Sequence, residues 1–285
     1  MSLILRAGRP EDAALCGRIC FEAFTAISRQ HNFPPDWPSV EVAQAVLTSL
    51  LAREDVDSVV AELDGEVVGS NFMANTGLVG GIGPITVAPA VQNGAIGRRM
   101  MEYMLEVARR APLAAVRLVQ AGFHCRSMAL YARLGFNVRE PLACMQGSPI
   151  KLAVPGITVR TAAADDLYEC CRLCVRVHGH ERRLELREAI AQRTATVAER
   201  DGRITAYATL IGFWGHAVAA TNDDMQALIG AAPELLGAGF LLPTRNGELF
   251  RWCLEHGLRM TQPLTLMALG LYNEPAGPFL PSVLY

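Results

Sequence analysis

The stretch 81–110 constrains the fold of this chain most, because it places an apolar run, a glycine-containing loop and an amphipathic helix in that order. The apolar run Ile82–Val87 predicts a buried strand, and a helical pattern of apolar residues begins after Arg98. Between them, Gly94 and Gly97 leave the loop backbone open to a ligand. The unpaired amides of a first helical turn attract anions, and the positive end of the helix dipole adds to that attraction. The stretch therefore predicts an anion-binding site.

This stretch resembles the acyl-CoA signature of the GNAT superfamily of N-acetyltransferases, Val-x-Pro followed by Gln/Arg-x-x-Gly-x-Gly/Ala. Val87 and Pro89 match the first part, and Gln92 and Gly97 match the second. Ala95 stands where the family usually has its first glycine, which adds one methyl group to the loop. An amphipathic helix after a glycine turn, with no ligand, is the alternative interpretation. The resemblance implies acetyl-CoA as cosubstrate, with contacts from Ile85, Thr86, Val87, Gln92, Asn93, Gly94, Ala95, Ile96, Gly97 and Arg98.

The segment Leu130–Phe136, which reads Leu-Tyr-Ala-Arg-Leu-Gly-Phe, is similar to the family's second signature. The resemblance implies that Tyr131 lies near the CoA sulfur and protonates the leaving thiolate; a helix tyrosine with a satisfied hydroxyl is the alternative. His124 stands where the family often has an Asn that contacts the cofactor, and we expect it to take that place. Many relatives carry a Glu base near the central strand, but residues 77–87 contain no acid. His124 and a water held by backbone carbonyls both stay open as the general base.

Length, composition and charge narrow the function further. A chain of 285 residues exceeds one average domain, so two domains are expected. Apolar residues make up 51% and charged residues 19%, which is typical of a globular protein with a sizeable core. The net charge of −2, without a basic tract, argues against nucleic acid and anionic membranes as partners. No run of 18 apolar residues occurs and residues 1–6 do not resemble a signal peptide, so we expect a cytoplasmic enzyme.

Cysteine and histidine spacing raises the question of a metal site. Cys171-x-x-Cys174 could be half a zinc site or a redox pair, but zinc needs four ligands and no second pair follows at a suitable spacing. We therefore predict reduced, buried thiols that pack as small apolar groups. His178 and His180 have no acid or cysteine partner at a recognised spacing. They are predicted to be solvated surface residues, and no metal is expected.

The segment 31–38 contains three prolines, which preclude a regular helix there. In the resembled family, the region between the first two helices lines the acceptor pocket. Phe33 and Trp37 are therefore candidate pocket walls. A surface loop pinned by two aromatic side chains explains the same residues equally well.

The second half of the sequence repeats the first after a boundary at 146–156. Val60–Gly65 is echoed by Val197–Gly202, and several residues recur at a constant offset of 154 positions. These echoes predict a tandem GNAT protein with domains at 1–147 and 156–285. Each domain is expected to be an α/β unit with a central mixed, mostly antiparallel sheet flanked by helices. The residues that match at the constant offset are Arg6 and Arg160, Asp12 and Asp166, Cys16 and Cys170, and Cys20 and Cys174.

The second half lacks the residues of the cofactor signature. Asp223 and Asp224 stand where its third helix should begin, and carboxylates at that position satisfy the helix amides and repel a pyrophosphate. Trp252 and Cys253 replace the Leu-Tyr pair of the second signature. We interpret this half as a non-catalytic copy that packs against the first half and shapes its acceptor cleft.

The resemblance implies direct transfer of an acetyl group from acetyl-CoA to an amine of a small molecule or peptide within a ternary complex. One alternative is an acyl-CoA-binding sensor or regulatory module without turnover. Another is an enzyme with a thiol or hydroxyl acceptor. The sequence permits a monomer or a homodimer.

Overall fold

Helices and strands alternate in the same order in both halves of the chain. The computed structural model describes residues 2–75 and 77–285, so Met1 of the segment compared with a signal peptide lies outside them. The first half contains β1 (Leu3–Arg6), α1 (Ala13–Gln30), α2 (Val40–Ala52), β2 (Val56–Leu63), β3 (Glu66–Ala74), β4 (Val79–Ile82), β5 (Thr86–Val87), α3 (Ile96–Arg110), β6 (Ala115–Ala121), α4 (Cys125–Arg133) and β7 (Asn137–Gln146). The second half contains β8 (Thr158–Thr161), α5 (Leu167–His178), α6 (Arg183–Ala191), β9 (Thr196–Arg200), β10 (Arg203–Ala208), β11 (Ala217–Ala219), α7 (Asn222–Ala231), β12 (Phe240–Pro243), α8 (Gly247–Glu255), β13 (Arg259–Gly270) and β14 (Phe279–Leu280).

The predicted mixed α/β architecture is confirmed, with one five-stranded sheet in the order β14-β11-β10-β9-β8 and one nine-stranded sheet to which both halves contribute. Its strand order is β1-β2-β3-β4-β6-β13-β7-β12, and β5 pairs with β3 outside this order. The last long strand of each half has thus crossed to the other half: β13 lies between β6 and β7, and β7 pairs with β12. The side chains of the two exchanged strands pack in the opposite halves. Met267 of β13 lies in the core of the first half, and Met145 of β7 lies in the core of the second.

The internal repeat is visible as a repeated ion-pair network. A single arginine on the first strand of each half joins an aspartate before the first helix to a glutamate on the next strand. The equivalent distances are nearly equal: Arg6–Asp12 2.7 Å and Arg6–Glu62 2.7 Å in the first half, and Arg160–Asp166 2.7 Å and Arg160–Glu199 2.6 Å in the second. The sequence echoes therefore mark equivalent positions of a duplicated fold.

The apolar run Ile82–Val87 does not form the single strand that its sequence predicts. Gly83 adopts φ 144° and Pro84 has no N–H to donate, so the ladder is interrupted between β4 and β5. β4 runs parallel to β6 only as far as the pair Gly81 and Arg117. After that pair the chain leaves β6, and β5 pairs antiparallel with β3. The two segments diverge, which opens a cleft on the edge of β6.

In the second half the end of the chain enters the equivalent region, where β14 pairs antiparallel with β11 and packs against β12. A cavity of about 410 Å³ remains beside the start of α7. The N-terminus of α7 is capped, because the Thr221 hydroxyl accepts from the Asp224 amide at 3.3 Å. The Asp224 carboxylate does not cap that amide; it is 1% exposed and bonds to the hydroxyls of Thr221 and Thr205 and to Arg200.

Seven of the eight cysteines are buried, all eight are free thiols, and Cys125 is exposed. The prediction of solvated histidines is wrong: His178 is 2% and His180 8% exposed. The Nε2 atoms of His178 and His216 lie 3.2 Å apart, and His180 Nε2 lies 3.2 Å from the Tyr285 hydroxyl. Gly179, at φ 77°, ends α5 and turns both rings inward. Within residues 2–75 and 77–285, no helix has the length and apolar character needed to cross a membrane.

Candidate active site

A cavity of about 490 Å³ occupies the cleft where β4–β5 diverges from β6. It extends from the loop before α3 to the segment between α1 and α2. The structure therefore brings both signature segments to one cavity. Gly94 and Phe33 are absent from the lining. The predicted site residues that line the cavity are Trp37, Ile85, Thr86, Val87, Gln92, Asn93, Ala95, Ile96, Gly97, Arg98, His124 and Tyr131.

The N-terminus of α3 opens into this cavity without a side-chain cap. Ala95 is the N-cap residue and adopts φ 60°, ψ 8°, in the left-handed region. Its methyl group offers no acceptor to the amides of the first turn, so these amides remain available to an anion. Arg98 adds a positive charge at the mouth, partly neutralised by Glu102 at 2.8 Å.

Arg126, at the start of α4, holds the loop that precedes α3. Its Nη2 donates to Gln92 Oε1 at 2.7 Å, and its Nη1 donates to Asn93 Oδ1 at 2.7 Å. Gln92 Nε2 in turn donates to the carbonyl oxygen of Val87 at 3.0 Å. Sequence reasoning missed Arg126, although an arginine in the first turn of the helix after His124 was a visible signal.

Tyr131 lines the cavity from α4 and is 6% exposed. Its ring packs edge-on against Phe136 with centroids 6.3 Å apart. Burial raises the pKa of Tyr131 to about 12, and the nearby Ser127 side chain opposes this only in part. The phenol therefore keeps its proton at neutral pH.

His124 is the N-cap of α4. Its Nδ1 accepts from the Ser127 amide at 3.3 Å, which leaves the proton of the neutral ring on Nε2. Burial, together with the charge of Arg126, lowers the pKa of His124 to about 4. The ring can donate a hydrogen bond into the cavity, but this arrangement makes it a poor proton acceptor.

The far wall of the cavity is aromatic. Trp37 packs between Phe24 and Trp214, each with ring centroids 6.3 Å from its own, and Phe123 lines the cavity beside His124. Phe33 lies behind this wall, where it stacks on Phe123 with centroids 4.3 Å apart and ring planes 8° apart.

Several buried polar atoms on residues of the lining have no hydrogen-bond partner among residues 2–75 and 77–285. Such atoms are rare in folded proteins, because an unpaired buried polar group costs about 1–3 kcal/mol. Each of these atoms is itself covered by protein atoms, although its residue lines the cavity. They are Ser28 Oγ, Trp37 Nε1, Thr86 Oγ1, and both amide atoms of Gln120.

The sequence model of the Acetyltransferase (GNAT) family matches residues 23–136. An IAA acetyltransferase from Azospirillum brasilense is 34% identical over 104 residues, which are 36% of this chain and 68% of that protein. This chain belongs to the GNAT family.

Solved GNAT structures resemble the whole chain in fold. A candidate acetyltransferase from Pyrococcus horikoshii has a TM-score of 0.75 at 19% identity and covers 96% of this chain and 92% of its own. A GCN5-related N-acetyltransferase from Sphaerobacter thermophilus has a TM-score of 0.62 at 16% identity, over 95% and 96% of the two chains. A tandem GNAT protein from the clavulanic acid biosynthesis pathway has a TM-score of 0.56 at 15% identity, over 94% and 98%. The tandem arrangement predicted from the sequence repeat is confirmed.

The second GNAT half contributes side chains to the cavity of the first. These come from the segment before β11, from β13 and from the end of the chain. The cavity is thus built by both halves, although the residues that line it at the start of α3 belong to the first half alone. The described part of the chain contains no group of three or more histidine, cysteine or acidic residues placed to hold a metal. The lining residues of the second half are Phe213, Trp214, Leu264, Val283 and Leu284.

Proposed function

We propose that this chain is an N-acetyltransferase that transfers the acetyl group of acetyl-CoA to an amine of a small molecule or peptide. One observation carries the proposal: the open N-terminus of α3, the Arg126-bound loop and Tyr131 line a single cavity. Membership of the GNAT family supports it. The name of the Azospirillum brasilense relative, IAA acetyltransferase, also supports transfer of an acetyl group.

The residues present fit acetyl-CoA as the cosubstrate, which would supply the activated acetyl group. The uncapped amides of Ile96, Gly97 and Arg98 form a site for the pyrophosphate, and Arg126 adds charge beside it. The chain from Ile85 to Val87 forms one wall of the cleft, beside which the extended arm of the cosubstrate would lie.

Tyr131 would give the proton of its hydroxyl to the sulfur as the C–S bond breaks, while the attacking amine would form the C–N bond and lose a proton to a base. Among the described residues, none of the eight cysteines lines the cavity. This favours direct attack by the amine over an acyl-cysteine intermediate. The sequence leaves His124 and a water as the two candidates for the general base. Since Nδ1 of His124 already accepts the capping hydrogen bond from Ser127, a water is the better candidate.

The proposal is tested by incubating the full chain with acetyl-CoA and a panel of primary amines and measuring the released thiol. Tyr131→Phe should lower kcat about 100- to 10,000-fold, the usual contribution of a general acid. Its affinity for acetyl-CoA should stay unchanged. Tyr168→Phe is the matched control, because Tyr168 is 62% exposed and lies in the second half.

Three outcomes bear on the proposal. Thiol release that depends on Tyr131 supports it. Tight binding of acetyl-CoA with no thiol released by any amine would replace it with the sensor alternative. Failure of acetyl-CoA to bind at all would overturn the cosubstrate assignment.

A further inference from the structure

Asp36 is a carboxylate in the cavity wall that the mechanism above does not use. It lies in the proline-rich segment between α1 and α2 and lines the cavity beside Trp37. Gln262 of β13 donates to Asp36 Oδ1 from Nε2 at 2.6 Å. Gln262 is itself 2% exposed. The carboxylate is therefore held in place by a strand of the second half.

This carboxylate differs from the buried acids of the same molecule. The four buried acidic residues each meet an arginine, whereas Asp36 is half-buried: the pairs are Asp12 with Arg6, Glu140 with Arg245, Asp166 with Arg160, and Asp224 with Arg200. Within residues 2–75 and 77–285, Asp36 forms no ion pair. Burial raises the pKa of its carboxyl group, with the hydrogen bond from Gln262 opposing that rise. A positively charged group on a bound ligand would therefore stabilise this carboxylate.

The surroundings of Asp36 are apolar and aromatic. Trp37, Phe24 and Trp214 form the nearest aromatic wall, and Ile27 and Leu264 line the cavity as well. Such a wall favours a hydrophobic or aromatic body. The faces of aromatic rings also attract a cation directly.

Charge is distributed unequally along the cavity. Its charged lining residues are three arginines, Arg98, Arg126 and Arg133, and one acid, Asp36. Arg98 and Arg126 belong to the segments that begin α3 and α4, whereas Asp36 belongs to the wall shared with the second half. The cavity thus offers cations to an anionic cosubstrate and a carboxylate to a cationic acceptor.

We infer that Asp36, held by Gln262, binds the ammonium group of an acceptor that carries an aromatic or bulky apolar body. The inference rests on the proposed function, because it names the substrate class of that reaction. It makes Asp36 the residue that distinguishes amines from neutral or anionic molecules of the same shape.

The test measures binding to the full chain saturated with CoA, so that no turnover is needed. The probes are 2-phenylethylamine, tyramine and tryptamine, each beside the alcohol of the same skeleton, and 3-phenylpropanoate as an anionic match. At least one amine should bind the natural protein about 10-fold or more tighter than its alcohol, since a charge-assisted hydrogen bond is worth about 1.5–3 kcal/mol. Equal binding of every amine and its alcohol would overturn the inference without any variant.

Asp36→Asn should weaken binding of that amine about 10-fold or more and leave the alcohol unaffected, because the amide keeps the shape and can still accept from Gln262. Asp201→Asn is the matched control; it removes an exposed carboxylate from a turn at φ 51°, which asparagine tolerates. Unchanged amine binding by a folded Asp36→Asn protein with normal CoA affinity would also overturn the inference.

The two proposals fail in different ways. Acetylation that is confined to amines without an apolar body and is indifferent to Asp36→Asn leaves the proposed function standing and refutes the inference. Amine binding that depends on Asp36 without any release of thiol supports the inference and refutes the transfer reaction.

Discussion

Arg126 donates a hydrogen bond to Gln92 at 2.7 Å and thereby joins the start of α4 to the loop before α3. The loop contains two residues in the left-handed region, Asn93 and Ala95, so its shape depends on such support. The same guanidinium supplies a positive charge beside the uncapped amides of α3. One side chain therefore both shapes this loop and contributes to the positive potential at the start of α3.

Arg126→Gln should weaken acetyl-CoA binding about 10-fold or more, because a charged hydrogen-bond donor is worth about 1.5–3 kcal/mol. Isothermal titration of the full chain measures this. Arg109→Gln serves as control, since Arg109 is exposed at the other end of α3. Combining Arg126→Gln with Gln92→Ala should cost less than the two single losses added together. Full additivity would show that the observed bond contributes nothing to the site.

Ala95→Gly should stabilise the protein. Removing the Cβ from a left-handed residue should relieve about 1–2 kcal/mol of strain in the folded state. Glycine is also more flexible in the unfolded chain, which offsets about 0.5–1 kcal/mol of this stabilisation. A net increase of about 0.5–1 kcal/mol in unfolding free energy, seen as a higher Tm, is expected. Acetyl-CoA affinity should not fall. Ala111→Gly, at the other end of α3 and at φ −90°, should instead lower the Tm; equal effects at both positions would contradict the strain argument.

The protein should lose stability as the pH falls from about 7 to 5. Burial lowers the pKa of His178 and His216 well below the ordinary value, with Arg117 and Arg182 acting in the same direction. Below the ordinary histidine pKa of about 6.5, the unfolded chain therefore binds more protons than the folded chain. The resulting stability is complete above that pH and is lost on acidification, at about 1–2 kcal/mol per histidine by pH 5.

Thermal unfolding at a series of pH values measures this loss. His216→Asn removes one titrating group and should reduce the dependence of Tm on pH, whatever it does to the Tm itself. His256→Asn, at an exposed position, should leave the dependence as it is. A pH dependence that is identical in the natural protein and in His216→Asn would contradict the linkage.

Cutting the chain between the halves should not separate them. A protease site inserted at the exposed residues 151–153 lies outside every helix and strand. Because β13 pairs with β6 and β7, and β7 pairs with β12, the two fragments should co-elute on size exclusion and still bind acetyl-CoA. The uncut insertion protein is the control. Elution of two separate fragments would show that the exchanged strands contribute little to association.

The end of the cavity at the start of α3 could be predicted from local sequence. Backbone conformation there follows from neighbouring residues, as at Gln92 and Gly97, and Tyr131 follows from a compact second signature. The Asp64-Gly65 turn is equally local, because both residues adopt positive φ, at 51° and 91°, as a two-residue hairpin requires. These features depend on segments of a few residues.

The end of the cavity that contains Asp36 could not be predicted in the same way. Asp36 stands in a proline-rich segment, where an acid is typical of an exposed turn, and its partner Gln262 is 226 positions away. The exchange of β7 and β13 was equally hidden, because an apolar strand pattern states that a strand is buried but not which neighbour it pairs with. His178 packs against Phe279, in the segment that ends at Tyr285. The spacing of His178 and His180 in the sequence gives no indication of this distant contact.

The position of β13 also affects the order in which a newly made chain can fold. The cofactor signature leaves the ribosome long before residues 259–270 do, yet the edge of β6 stays unpaired until those residues arrive. During that interval the first half presents an open sheet edge, the kind of surface that pairs with other chains. The second half thus supplies the strand without which the sheet of the first half is unfinished, so a stop codon or frameshift late in the reading frame would damage the cavity whose residues are encoded near its start.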